Sequence, residues 1–66
     1  MSWIISRKKG RDYEQYCDAD IYGRGRFGGG TLLGLPELYQ TKRDAQDHLR
    51  TIEKEEGWQY MVEYYE

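Results

Sequence analysis

The side chains whose ordinary pKa lies nearest neutral pH, and which are therefore weighed first for acid–base or nucleophilic work, are one histidine, His48, and one cysteine, Cys17. Asp44 stands four residues before His48, within hydrogen-bond reach if both lie on one helix. Catalysis would also need a nucleophile or second acid beside that pair, and a pocket that excludes water. Cys17 is the only candidate nucleophile, and nothing in the spacing ties it to His48. Lys8 and Lys9 fall in a turn-like stretch with no apolar context to desolvate either. One cysteine and one histidine cannot close a structural zinc site. The expectation is a protein that is not an enzyme and needs neither metal nor cofactor.

The glycine-rich stretch offers other chemistry. Gly23-Arg24-Gly25-Arg26-Phe27-Gly28 spells G-x-G-x-x-G. A dinucleotide site needs a helix opening directly from the last glycine of that pattern. Here Gly29 and Gly30 prolong the run and Pro36 follows, so the match reads as coincidence. Asp18-Ala19-Asp20-Ile21-Tyr22-Gly23 begins like a calcium loop. Tyr22 then takes the fifth position and Gly29 the twelfth, where a bidentate glutamate belongs, so the cage does not close. What remains is contact chemistry. Arg24 and Arg26 can pair with phosphate, Phe27 can stack on a base, and the glycines let a backbone come close. Five glycines in eight positions make 23–30 a flexible loop by expectation.

A chain of 66 residues must position these groups with a single small core. Such a domain buries only roughly 60% of its unfolded surface, so each large apolar residue matters. With one cysteine there is no internal disulfide, and a partner or a second copy of the chain becomes a source of extra burial. Thr41 and Asp44 read as a capping box. Ala45, His48, Leu49 and Ile52 follow at helical spacing, and Gly57 offers a left-handed stop, predicting a helix over 42–56. Trp58, Tyr60, Val62 and Tyr64 then alternate with Gln59, Met61, Glu63 and Tyr65, predicting a two-faced strand over 58–65. Near the front, Trp3-Ile4-Ile5-Ser6 and Tyr13 to Cys17 read as strands paired across the basic turn Lys8 to Asp12. Thr31-Leu32-Leu33 and Leu35 form a short strand or a loop against the core. The resulting fold is α+β, a three- or four-stranded antiparallel sheet with one helix packed on one face.

Charge divides unevenly. Residues 1–30 carry six basic against four acidic groups, and residues 31–66 carry four against eight. The helix's outer midline, Arg43, Asp47, Arg50 and Lys54, is mixed, which argues against mimicry of a row of phosphates. Seven tyrosines are too many for so small a core, and tyrosine is enriched at interfaces. If the helix covers Trp58, Tyr60, Val62 and Tyr64, then Met61 and Tyr65 point away from it. Ile4, with Tyr16 or Tyr22, is expected beside them on an uncovered sheet face, a candidate association surface. Residues 1–8 hold too short an apolar run for a signal peptide, and no stretch could span a membrane. A cytoplasmic protein is expected.

The layout of short strands, then Leu38-Tyr39-Gln40-Thr41-Lys42-Arg43-Asp44-Ala45 opening a helix, then an aromatic strand, resembles many very small phage-encoded proteins. These include inhibitors of host RNA polymerase and anti-CRISPR proteins. The resemblance covers about residues 38–66 and implies a protein that blocks a larger host or viral complex, working in the host cytoplasm. The expected function is a non-enzymatic protein-binding module with Tyr22, Arg24, Arg26, Phe27, Met61 and Tyr65 at the partner. The alternative is a nucleic-acid-binding accessory protein using Arg7, Lys8, Lys9, Arg24 and Arg26. A third is self-association, as a homodimer or through paired sheet edges.

Overall fold

The hairpin expected at the front is present, and it is longer than its apolar residues predict. Strand β1 runs Ser2–Lys9 and β2 runs Asp12–Cys17, with Lys9 opposite Asp12 and Gly10-Arg11 as the two-residue turn. Gly10 holds φ +60° and no other residue type in the described chain takes a positive φ. A glycine at the first central position is what this tight turn requires. The computed structural model describes residues 1–17, 26–28 and 36–66, Arg26 by its backbone. β1 continues through Arg7-Lys8-Lys9 because Arg7 and Lys8 are paired on both sides, with β2 and with β4 at Gln59–Tyr65, and Lys9 is paired with β2.

The sheet has four antiparallel strands in the order β3-β2-β1-β4, and the helix α1 spans Lys42–Thr51 on one face. The chain is a small α+β protein. β3 is Arg26–Gly28, with Phe27 opposite Tyr16 and Arg26 opposite Cys17. This corrects the expectation of a loop throughout 23–30: its centre is held by backbone pairing to β2. Tyr22, Arg24 and the segment 31–35 lie outside the described residues.

The helix also ends earlier than predicted, at Thr51 and not at 56. Ile52 is already extended, with φ −80° and ψ 132°. Continuing through Glu53, Glu55 and Glu56 would bring three carboxylates to the negative end of the helix dipole. The exposed carbonyls are met instead by side chains. Thr51 Oγ1 donates to the His48 carbonyl (2.7 Å), and Lys54 Nζ donates to those of Leu49 (2.7 Å) and Ile52 (3.2 Å). Lys54 is thus a cap and not part of the helix's outer midline. Gly57, at φ +91°, turns the chain into β4. At the other end the threonine cap is as expected, Thr41 Oγ1 accepting from the Asp44 amide (3.0 Å).

Between β1 and β2 the ladder stops at Ser6 opposite Gln15, and the pre-helix segment enters the gap. Trp3 exchanges two backbone hydrogen bonds with Tyr39 (2.8 and 2.9 Å), and the Glu37 amide donates to the Tyr16 carbonyl (2.9 Å). Pro36 bridges to Cys17. Opposed residues of an antiparallel pair share a face. The helix side therefore carries Trp3, Ile5, Arg7, Glu14, Tyr16, Phe27, Tyr60, Val62 and Tyr64. The far side carries Ile4, Ser6, Tyr13, Gln15, Cys17, Met61, Glu63 and Tyr65. Tyr60, Val62 and Tyr64 face the helix as predicted, and Met61 and Tyr65 face away.

The core does not sit under the helix alone. Ile5 and Ala45 are fully buried on the helix side, but Ile4 (2% exposed), Ser6 (0%) and Cys17 are buried on the other. The far face is therefore not uncovered at its centre, and Ile4 is not one of its exposed groups.

Candidate functional site

On the helix side, Arg7 sits where four elements meet. Its side chain is only 12% exposed. Nε and Nη2 both donate to Glu14 Oε1 (2.8 and 2.6 Å), and Nη1 donates to the Tyr60 hydroxyl (3.3 Å) and lies 3.7 Å from Glu55 Oε2. The guanidinium carbon lies over the rings of Trp58 (4.1 Å to the centroid) and Phe27 (4.5 Å). Burial works against this cation. The hydrogen bonds to Tyr60 and Glu14, together with the charge of Glu14, outweigh it and hold Arg7 above its ordinary pKa. Stacking on ring faces while donating in a planar fork is an arrangement arginine makes and lysine does not.

Aromatic rings complete this side. Phe27 meets Tyr16 edge-on (5.2 Å between centroids) and Tyr60 (5.5 Å). Phe27 and Tyr60 come from the two outermost strands, about 14 Å apart if the sheet were flat. Their contact shows the sheet curling over Arg7. Tyr16 also meets His48 (5.4 Å), whose Nδ1 is hydrogen-bonded to the Tyr39 hydroxyl. Burial, and then the nearby charge of Glu37, push the Tyr16 hydroxyl pKa up. Arg7, Tyr16, Phe27, His48, Thr51, Ile52, Glu53 and Glu55 line a cleft of about 430 Å³.

On the far side the organising group is a carboxylate. Glu63 Oε2 accepts from Ser6 Oγ (2.6 Å) and from the Tyr13 hydroxyl. Around it, Tyr13 is 47% exposed and Tyr65 36%, with Met61 half-buried. Leu38, 53% exposed, joins this face by alternation. Pro36 is bridged to far-side Cys17, while Tyr39 pairs with helix-side Trp3 and reaches His48. Four large side chains thus rim a buried centre of Ile4, Ser6 and Cys17.

Of the residues predicted to touch a partner, Met61 and Tyr65 share this rim. Phe27 does not. It is half-buried against Arg7, Tyr16 and Tyr60 on the opposite face, because β3 pairs with β2 and turns its ring inward. Arg26 has its backbone in β3, and Tyr22 and Arg24 lie outside the described residues. Tyr16 is on the helix side, and Tyr13 stands where Tyr16 or Tyr22 was expected. Arg7, counted among the cations available to a nucleic acid, is committed to Glu14 and to ring faces. Lys8, Lys9 and Arg11 remain exposed.

Sequence reasoning missed Tyr13 and Leu38 as members of this surface, and gave no role to Glu63, which alternation already sets beside Met61 and Tyr65. The alternation Tyr13, Gln15, Cys17 could have found the first. Leu38 depended on the insertion of residues 36–39 between two strands, which has no local signal. Asp44 is within reach of His48 by spacing alone, and the His48 Nδ1 is hydrogen-bonded to the Tyr39 hydroxyl. Cys17 Sγ lies on the far side, 3.4 Å from the Gln15 carbonyl, with the sheet between it and His48. Among the described residues no group of three His, Cys, Asp or Glu side chains is placed to hold a metal ion, and no helix is long and apolar enough to cross a membrane. Compared with protein families, curated proteins and solved structures, the chain matches none.

Proposed function

We propose that this chain is a non-enzymatic protein-binding module whose contact surface is the far face of the sheet. One observation carries the reading: Tyr13, Leu38, Met61 and Tyr65 converge on one face, around a centre already packed at Ile4 and Ser6. Large apolar and aromatic side chains gathered on one surface bury much area on binding, which makes them efficient anchors. Glu63 adds a carboxylate beside them for a polar partner group. The layout's resemblance to phage-encoded inhibitors directs the search to a larger host enzyme or defence complex. The commitment of Arg7 to Glu14 weakens the nucleic-acid alternative, which relied on it.

The test compares two double variants with the parent in capture of the partner from the source cell, using circular dichroism to confirm folding. Met61→Ser with Tyr65→Ser should fold and lose the partner, and the parent should keep it as salt rises, since an aromatic interface is weakly screened. Arg24→Ala with Arg26→Ala should bind as the parent does. Loss of binding in the arginine variant alone, with steep salt sensitivity, would replace this reading with phosphate recognition.

A further inference from the structure

The strand β4 closes one edge of the sheet, and its outer side has a defined hydrogen-bonding phase. Backbone groups along a strand point alternately to its two sides. Trp3 bonds to Tyr39 on the side of β1 that faces β2, so Ile4 and Ser6 bond toward β4. Their partners Glu63 and Met61, with Gln59 and Tyr65, are therefore the β4 residues whose backbone bonds to β1. Tyr60, Val62 and Tyr64 direct their amides and carbonyls outward, and no backbone partner meets them among the described residues.

Edges of this kind are usually blunted by proline, a charged side chain (lysine above all), a bulge or a covering segment. β4, Gln59 to Tyr65, contains neither proline nor lysine, and its one charge, Glu63, is held on the far face by Ser6 and Tyr13. Its register against β1 runs unbroken from Tyr65 opposite Ser2 to Gln59 opposite Lys8. A small chain with one thin core also gains most from additional burial. We propose that β4 pairs antiparallel with β4 of a second copy, about a two-fold axis at Val62, joining two sheets into one of eight strands.

The register follows from the residues. Centred on Val62, Tyr60 lies opposite the partner's Tyr64 and Val62 opposite its own copy, so every outward amide and carbonyl of the three residues is paired. Aromatic and β-branched pairs of this kind stabilise adjoining strands. A centre at Met61 leaves Tyr64 unpaired. A centre at Glu63 sets two carboxylates directly opposite each other, which is unfavourable. On the far face, the Val62 register brings Glu63 opposite the partner's Met61. This pairing uses the edge and leaves the far face open, so it stands apart from the function proposed above.

Sedimentation of the purified chain tests the pairing without any other partner. The parent should show a concentration-dependent dimer. In that dimer the amides of Tyr60, Val62 and Tyr64 should exchange with solvent more slowly than in the dilute monomer. Tyr64→Pro removes an outward amide and leaves the β1 ladder intact, so it should fold and be monomeric. Met61→Lys should tighten the dimer about fivefold by meeting the partner's Glu63, and Met61→Glu should weaken it about as much. If Tyr64→Pro does not fold, the two Met61 variants decide. A parent that stays monomeric at every attainable concentration overturns the proposal. So does a folded Tyr64→Pro that still dimerises, or a pair of Met61 charges that shift the dimer in the same direction.

Discussion

The two faces of the sheet are each organised by one charged side chain, and they treat that charge differently. On the helix side, Arg7 is nearly sealed from water and answered by a carboxylate, a phenol and two ring faces. On the far side, Glu63 is answered by two neutral hydroxyls and is only half-buried. An ion sealed inside must keep its counterion, because an unpaired buried charge is far costlier than a lost hydrogen bond. A carboxylate at a rim can exchange a hydroxyl for water or for a partner's donor. The first arrangement suits holding the fold together, and the second suits binding.

The largest effect should therefore come from the helix side. Arg7→Ala leaves Glu14 without its partner and the rings of Phe27 and Trp58 without their filling, and should cost about 3–5 kcal/mol. That approaches the whole stability of a domain of this size, about 0.05–0.15 kcal/mol per residue. Urea unfolding followed by fluorescence of Trp58 and Trp3 is the measurement. If the cost is under about 1 kcal/mol, the rings hold this face by themselves and the guanidinium is a bystander.

Much of this architecture is legible in residue order, and the part that is not has a physical reason. The hairpin, the threonine cap and the alternation of Tyr60, Val62 and Tyr64 are local patterns, and each is where the periodicity places it. The end of the helix is less legible, because a glycine downstream of a charged run looks like a stop. The helix dipole and the Lys54 cap act before it. By residue order Arg7 is one of several cations open to a nucleic acid. Its role depends on Glu14, Phe27 and Trp58 meeting it from three separate parts of the chain, which spacing does not encode. The burial of Ile4 and Ser6 on the far side is likewise a property of the assembled sheet.

A smaller effect is expected across the sheet. Ser6 is fully buried, and its hydroxyl donates to Glu63 (2.6 Å). Ser6→Ala removes one of two donors to that carboxylate while Tyr13 keeps the other, so about 1–2 kcal/mol should be lost. The same urea titration reads it. A loss equal to that of Arg7→Ala would mean that Glu63 depends on Ser6 as strictly as Arg7 depends on Glu14. The contrast between the faces would then fail.

The smallest effect sharpens the account of how tightly the helix side is closed. Tyr16 has its pKa raised, first by burial and then by Glu37, so the folded chain holds that proton more firmly than the unfolded chain. The stability this contributes is fully present below the unfolded tyrosine value of about 10, and is lost as pH rises through the higher folded value. Unfolding midpoints should therefore fall as pH climbs past about 10, where unfolded tyrosine begins to ionise. Tyr16→Phe should remove part of that slope while keeping the ring contacts with Phe27 and His48. Lysines titrate in the same range, so the informative quantity is the difference between the two curves. Parallel curves would mean that water reaches the Tyr16 hydroxyl as freely in the folded chain as in the unfolded one. The helix side would then be open beside β2, and Arg7 alone would mark where it closes.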